Sequence, residues 1–359
     1  AWRKSMRGEG EPVAMTISVG DLVRTNIHGA FHSDVQLTSY YDPERNRQLA
    51  GSYIFTSSQQ GNQLGSVELL QRVQGSFVDV TSSNRFIVLA TYGHGKSHFA
   101  VALANFFGKP LDSDEFRAVY SQLHHTLGEQ PLLQHFKTFK EVHKPSLVIL
   151  MRGDESPLDL PSKFYRALER ALAAHPETQG VRPPFWFDQA TRFLQRVAQE
   201  QRHAADTFLR PYDLDLSSLI ELVEQRKDSA YDPCRHLFSH LYGVPPAFEG
   251  TTSLREMVEW IADQLCGGEN PFGSALILFD EFSTFVQNYT GGWVVSAGAP
   301  LQDLLNGVAN RRGKVAFVAF AQHDPRTIVE RSLASDTQVS GVEKELDRLD
   351  QVYTLKAVL

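Results

Sequence analysis

The sequence has little cysteine, no long apolar stretch and no excess of positive charge. Two cysteines among 359 residues exclude a disulfide framework and favour a reducing compartment, so we expect a cytoplasmic protein. No run approaches the ~18 apolar residues that a membrane-spanning helix needs, and residues 1–14 lack the apolar segment of a secretory signal. Lys and Arg total 35 against 42 Asp and Glu, a formal charge of −7. We therefore expect no membrane partner, and DNA binding would require a local basic groove that net charge does not indicate.

Short apolar runs, in contrast, are frequent, and 42% of the residues are apolar. Four runs are rich in β-branched or aromatic residues and end in polar turns: 86–89 (FIVL), 147–151 (LVILM), 275–279 (ALILF) and 315–320 (VAFVAF). A fifth run, 352–359, ends the sequence. Continuous hydrophobicity is typical of parallel strands that are covered by helices on both faces. The sequence therefore predicts an α/β fold with a parallel sheet flanked by helices.

The segments around these runs predict four regions. We expect an N-terminal extension with a small subdomain over 1–65, the first part of the α/β domain over 66–155, an all-helical insertion over 156–270, and the second part of the α/β domain over 271–359. Helices are predicted at 67–73, 96–107, 162–175, 185–208, 218–227, 233–242 and 254–266. Capping boxes are predicted at Ser218–Glu221 and Ser253–Glu256.

A glycine-containing loop directly follows the first strand. Residues 90–97 (ATYGHGKS), here named the GKS loop, fit the pattern G-x-x-x-x-G-K-[ST] with Ala90 at the first glycine position. Backbone N–H groups from Gly93 through His94 and Gly95 to Ser97 can surround a phosphate, and the helix N-terminus adds partial positive charge. Lys96 would reach the β- and γ-phosphates, and Ser97 would offer its hydroxyl to Mg²⁺. The alternative is an ordinary strand–helix turn.

Two carboxylates follow the apolar run 275–279. Because ligands of open α/β sheets bind at the carboxyl ends of the strands, Asp280 is a candidate Mg²⁺ ligand and Glu281 a candidate general base for an attacking water. The alternative is a solvated turn. Gln322, after the run 315–320, is a candidate contact for the γ-phosphate and the water, with His323 second; strand-end capping is the alternative. An arginine usually neutralises charge in phosphoryl transfer, and Arg348, before the last strand, is our candidate.

The order of these motifs over residues 66–359 resembles that of the ASCE P-loop ATPases, AAA+ in particular, with the helical insertion as a departure. The resemblance implies that Lys96 and Ser97 correspond to Walker A, Asp280 and Glu281 to Walker B, and Gln322 to sensor 1. It also implies ATP and Mg²⁺ as cofactors, catalytic roles for Lys96, Glu281 and Gln322, and a homo-oligomer in which Arg348 is an arginine finger for a neighbouring subunit.

A narrower resemblance involves residues 92–99 (YGHGKSHF), which place His98 directly after the GKS residues. This stretch is similar to the large ATPases of bacterial phage-exclusion (BREX) and phage-growth-limitation systems. It implies Tyr92 and His98 as further cofactor-binding residues and other subunits of a defence complex as partners. No helical lid follows the last predicted strand, so we expect the chain to be part of a longer protein. A nucleotide-gated scaffold with little turnover is the alternative function, and a small-molecule kinase is disfavoured.

Overall fold

The computed structural model describes residues 35–91, 93–155, 160–179, 181–244, 246, 253–289, 299–332 and 351–355. From Gln36 onward these residues belong to one compact unit. Among them, no helix combines the length and the hydropathy that crossing a bilayer requires.

A seven-stranded sheet forms the centre of the described structure. Its strands are β1 (Gln59–Gln60), β2 (Gln63–Leu64), β3 (Arg85–Leu89), β4 (Ser146–Arg152), β5 (Ser274–Asp280), β6 (Val315–Ala321) and β7 (Gln351–Leu355). The spatial order is β1-β2-β7-β3-β6-β5-β4, and every neighbouring pair except β1–β2 is parallel. The prediction of an α/β fold with a largely parallel sheet is therefore confirmed. The last predicted strand is described only as far as Leu355.

The described residues form fourteen α-helices. They are α1 (Pro43–Ser52), α2 (Ser66–Val78), α3 (Lys96–Gly108), α4 (Asp114–Leu127), α5 (Pro131–Val142), α6 (Leu160–Ala173), α7 (Phe187–Glu200), α8 (Arg202–Leu209), α9 (Leu216–Glu224), α10 (Tyr231–Tyr242), α11 (Leu254–Trp260), α12 (Phe282–Tyr289), α13 (Ala299–Ala309) and α14 (Pro325–Ser332). A π-helical turn, Ile261–Leu265, continues α11.

Helices cover both faces of the sheet. On one face, α6, α11 and α13 pack against a cluster that includes Ile149, Ile277 and Phe317. On the opposite face lies α3, whose Phe99 meets Phe320 edge-to-face with ring centroids 6.2 Å apart. Because successive strand side chains point to opposite faces, the continuous apolar runs supply both layers of core at once.

The helical segment between β4 and β5 has two parts. Helices α7–α10 form their own core around the fully buried Trp186, Leu194, Leu216 and Leu237. The flanking helices α6 and α11 instead belong to the core of the sheet. The separate core therefore covers a narrower stretch than the predicted insertion over 156–270. The region boundaries at 65, 155 and 270 stay predictions.

Several helix boundaries differ from those predicted. The helix expected over 185–208 is two helices, because Gln201 has φ −140° and ψ 26° and interrupts α7 before α8. The capping box at Ser218 is wrong: α9 begins earlier, and the Asp215 carboxylate is the cap, accepting from Ser218 N at 2.7 Å. Ser253 does cap α11, accepting from Glu256 N at 3.4 Å.

The side chain of Lys140 contacts the far end of α3. This side chain of α5 is 5% exposed and donates to the carbonyl oxygens of Phe107 at 3.3 Å and Lys109 at 2.8 Å. A cation there also complements the negative end of the helix dipole. Burial nevertheless lowers the pKa of Lys140 from 10.5 to about 8, because a buried ammonium loses its hydration.

We expect this pKa to make stability rise with pH. Between pH 8 and 10.5 the unfolded chain binds more protons at this residue than the folded protein does, so the free energy of unfolding increases with pH. From about pH 7 to about pH 9.5, wild type should gain roughly 2 kcal/mol relative to Lys140→Met. Urea denaturation of both proteins at the two pH values measures the difference. A difference that does not change with pH would contradict the assignment.

Candidate active site

The GKS loop connects β3 to α3 and keeps the geometry that its glycines allow. Gly93 and Gly95 have φ of 81° and 75°, a conformation that side chains with a Cβ rarely adopt. Ala90 N donates to Ala321 O of β6 at 3.1 Å, which anchors the start of the loop. Gly95 is the N-cap residue of α3 and has no side chain to accept from the first-turn N–H groups. The partial positive charge of this helix end therefore faces an anion without a competing side-chain cap.

Lys96, the first residue of α3, is a buried cation. Its side chain leaves the residue only 6% exposed. Burial lowers its pKa, while the nearby carboxylates of Glu281 and Asp280 oppose that effect. The charges of these two carboxylates therefore favour the protonated form of Lys96, against the effect of burial.

Asp280 ends β5 and is 3% exposed. It accepts a hydrogen bond from Glu281 N at 2.9 Å. Burial raises its pKa, although the Ser97 hydroxyl, Glu281 N and Lys96 act in the opposite direction. The predicted hydroxyl after Lys96 and the predicted carboxylate after the apolar run thus lie close enough for the hydroxyl to lower the pKa of the carboxyl group. A hydroxyl and a carboxylate are oxygen ligands of the kind that Mg²⁺ prefers.

Glu281 and Gln322, which follow the neighbouring strands β5 and β6, also contact each other. Glu281 Oε2 accepts from Gln322 Nε2 at 3.4 Å and from Thr284 Oγ1 at 3.2 Å. Gln322 N in turn donates to the buried Ser283 hydroxyl at 2.9 Å. His323, the second candidate, is exposed and joins this group through its backbone.

Other predicted residues have different surroundings. The His98 imidazole lies 2.8 Å from Leu49 O and 3.4 Å from Ser52 Oγ, so its side chain joins α3 to α1. The His94 ring is exposed and contacts Thr91 Oγ1 within the loop. Tyr92 and Arg348 lie outside the described residues, and their proposed roles stay predictions.

Sequence reasoning missed Ser283, Thr284 and Gly153. The two hydroxyl residues could have been noticed, because they occupy the first turn of the helix that follows the acidic pair. Gly153 has no local signal, since its importance depends on a contact with Glu281, which is distant in the sequence. Arg152 beside it aligns with Asp280 across the β4–β5 pair and makes two hydrogen bonds to Asp154, at 3.0 and 2.6 Å.

A pocket of about 340 Å³ lies elsewhere, on α4 and α5, around Phe116 and Tyr120. Its basic side chains contact neighbouring acids: Arg117 with Asp114, His124 with Glu129, and Lys137 with Glu141. None of the residues lining this pocket belongs to the GKS loop or the acidic pair. The candidate catalytic and ligand-binding residues therefore lie outside this pocket, at the carboxyl ends of the strands.

In the described part of the chain, no group of three or more His, Cys, Asp or Glu residues is placed to hold a metal ion. A cation at the sheet edge would thus depend on Asp280, Ser97 and oxygens of a bound ligand, which is the usual situation for Mg²⁺ with phosphates. No family model, no curated protein and no solved structure matches this chain, so the geometry of the site itself carries the functional assignment.

Proposed function

We propose that this chain binds ATP with Mg²⁺ and hydrolyses it at the carboxyl edge of the sheet. The observation that carries the proposal is that Lys96 and Asp280 are both buried at the same edge of the sheet, with the Ser97 hydroxyl close enough to lower the pKa of Asp280. This arrangement brings the start of a helix without a side-chain cap to the end of an apolar strand. Lys96 precedes Ser97 and Glu281 follows Asp280 in the sequence, and the charges of Lys96 and Glu281 attract each other.

Binding is assigned to the GKS loop and Lys96. The loop presents backbone N–H groups to the phosphates, and Lys96 brings a cation that is already stripped of most of its water. Electrostatic attraction is stronger in such a low-dielectric site than in solvent. The Lys96 ammonium is therefore suited to bind the β- and γ-phosphates.

Asp280 and Ser97 fit the role of holding Mg²⁺. When bound, the ion neutralises charge on the β- and γ-phosphate oxygens. Asp280 contributes a carboxylate that accepts from Glu281 N at 2.9 Å. Because the Ser97 hydroxyl is near enough to lower the pKa of Asp280, the two oxygens are suited to serve one site.

Glu281 is assigned as the general base. Its carboxylate takes a proton from a water whose oxygen attacks the γ-phosphorus; the bond to the β–γ bridging oxygen breaks, and ADP and phosphate result. Thr284 and Gln322 both donate to Glu281 Oε2, which leaves Oε1 for the water. The Gln322 amide is within reach of the same space and would orient the water or contact the γ-phosphate.

The wider assignment depends on the motif resemblance. We infer an AAA+-like ATPase that acts in the cytoplasm as a motor or switch in a multi-protein bacterial anti-phage complex, with other subunits and further copies of this chain as partners. The support is the order of the GKS loop, the acidic pair and Gln322, together with the similarity of residues 92–99 to BREX-type ATPases.

Substitutions of Lys96 and Glu281 should separate binding from hydrolysis. Lys96→Ala removes the cation for the phosphates, so we expect ATP affinity to fall by at least about tenfold. Glu281→Gln keeps the size of the side chain but removes the base. It should bind ATP like wild type and hydrolyse it about 10²–10⁴-fold more slowly.

Calorimetry with a nonhydrolysable ATP analogue and magnesium measures binding, and phosphate release measures turnover. Lys137→Ala, an exposed lysine of α5, is the matched control for lost positive charge. Equal hydrolysis rates for Glu281→Gln and wild type would refute the catalytic assignment.

The buried charge of Asp280 should cost stability in the nucleotide-free, magnesium-free protein. Burial raises the pKa of Asp280, so the folded protein holds a proton at this residue to higher pH than the unfolded chain. The free energy of unfolding then falls as pH rises through the folded-state pKa. Asp280→Asn should therefore melt a few degrees above wild type at neutral pH, and the gain should disappear in acid.

Melting curves against pH, recorded with a chelator, measure this effect. Asp112→Asn, on an exposed residue, controls for the loss of a negative charge. If Asp280→Asn melts below wild type at neutral pH, the carboxylate stabilises the fold and burial is not its dominant influence.

A further inference from the structure

We propose that Gly153 is a positioning residue for Glu281, and that Lys163 holds it in place. The inference rests on the proposed function of Glu281 as the base. Gly153 lies in the segment 152–155 directly after β4, here named the β4 loop. This loop contacts the acidic pair from the side opposite β6.

Gly153 is packed against the backbone of Glu281. Its N–H donates to Asp280 O at 2.9 Å. A Cβ at this position would overlap the Glu281 carbonyl oxygen and would lie 2.9 Å from both Glu281 C and Phe285 N. These backbone atoms of Glu281 and Phe285 cannot move independently, because Phe285 N donates to Glu281 O at 3.1 Å in the first turn of α12. Glycine is thus the one residue that fits here without displacing the backbone of the base.

Glu281 itself has a backbone conformation that is costly for its residue type. Its φ is 52°, in the left-handed region that a glutamate rarely adopts. Such a conformation persists only where the surroundings determine it. This turn lets Glu281 N meet the Asp280 carboxylate while the Glu281 side chain reaches Thr284 and Gln322. A push from a side chain at position 153 would release the strained residue.

Lys163 holds the β4 loop through hydrogen bonds to its backbone. This lysine of α6 is 3% exposed, and its ammonium donates to Glu155 O at 2.7 Å and to Arg152 O at 3.4 Å. The two acceptors flank Gly153 in the chain. The cation therefore satisfies backbone groups on both sides of the glycine, which holds the β4 loop against the acidic turn.

The test compares Gly153→Ala with Gly273→Ala. Gly273 precedes β5 at the opposite end of the same strand pair, and a Cβ there would lie 2.8 Å from Lys144 O. Both substitutions crowd a backbone, but only position 153 contacts the base. We expect kcat for ATP to fall about 10- to 100-fold in Gly153→Ala, with KM within about threefold of wild type. Gly273→Ala should lower the melting temperature comparably and leave kcat within about twofold.

A kcat within about twofold of wild type in Gly153→Ala, or an equal loss of kcat in both variants, overturns the proposal. Lys163→Met is judged by the same criterion, a lowered kcat with little change in KM, and it replaces Gly153→Ala as the test if Gly153→Ala does not fold.

Crystal structures of wild type and of whichever variant folds supply a readout that does not depend on hydrolysis. Loss of the left-handed φ at Glu281 and of its Thr284 contact supports the positioning role even if wild type proves not to hydrolyse ATP, whereas an unchanged Glu281 refutes it.

Discussion

The site depends on one approach across the sheet, which brings the Ser97 hydroxyl close enough to the Asp280 carboxylate to lower its pKa. Strand β6 lies between β3 and β5, the strands that lead to these two residues. Strands β3 and β5 are thus about 10 Å apart, since adjacent strands are separated by about 4.8 Å. Ser97 reaches toward Asp280 because α3 begins at the sheet edge, directly after the GKS loop. This approach therefore requires both the parallel order β3-β6-β5 and the helix start at Lys96.

Burial disfavours the two charges at this edge of the sheet, those of Lys96 and Asp280, and each charge partly compensates the other. The pKa of Lys96 is lowered and that of Asp280 is raised by the same loss of water. The fold holds them with rigid neighbours: the amides of Asn46 and Asn105 donate to each other at 2.8 and 2.7 Å in the core, and His98 meets α1. Helix α1 thus fixes α3 in position.

Local motifs explain how much of this could be predicted. Gly95, Lys96 and Ser97 are adjacent in sequence, so a local pattern was enough to predict a loop that leads from the first strand into a helix beginning at Lys96, and the apolar runs were enough to predict the central strands. The break at Gln201 could not be predicted, because neither glycine nor proline marks it. The cap of α9 was misplaced because Asp215 and Ser218 both suit an N-cap, and only the folded backbone distinguishes them. Gly153 acts through a non-local contact, which a single sequence does not reveal.

Strand register connects these pieces. Asp280 pairs with Arg152 across β4–β5, and Phe279 pairs with Ala319 across β5–β6. Phe279 and Ala319 face α6, α11 and α13, so alternation places Asp280 on the opposite face, that of α3. A slip of one residue would move the carboxylate to the wrong face and away from Ser97. The turn at Glu281, with its positive φ, ends this alternation at the edge of the sheet. One strand end can therefore serve two carboxylates with different neighbours, the first held by α3 and the second by β6, α12 and the β4 loop.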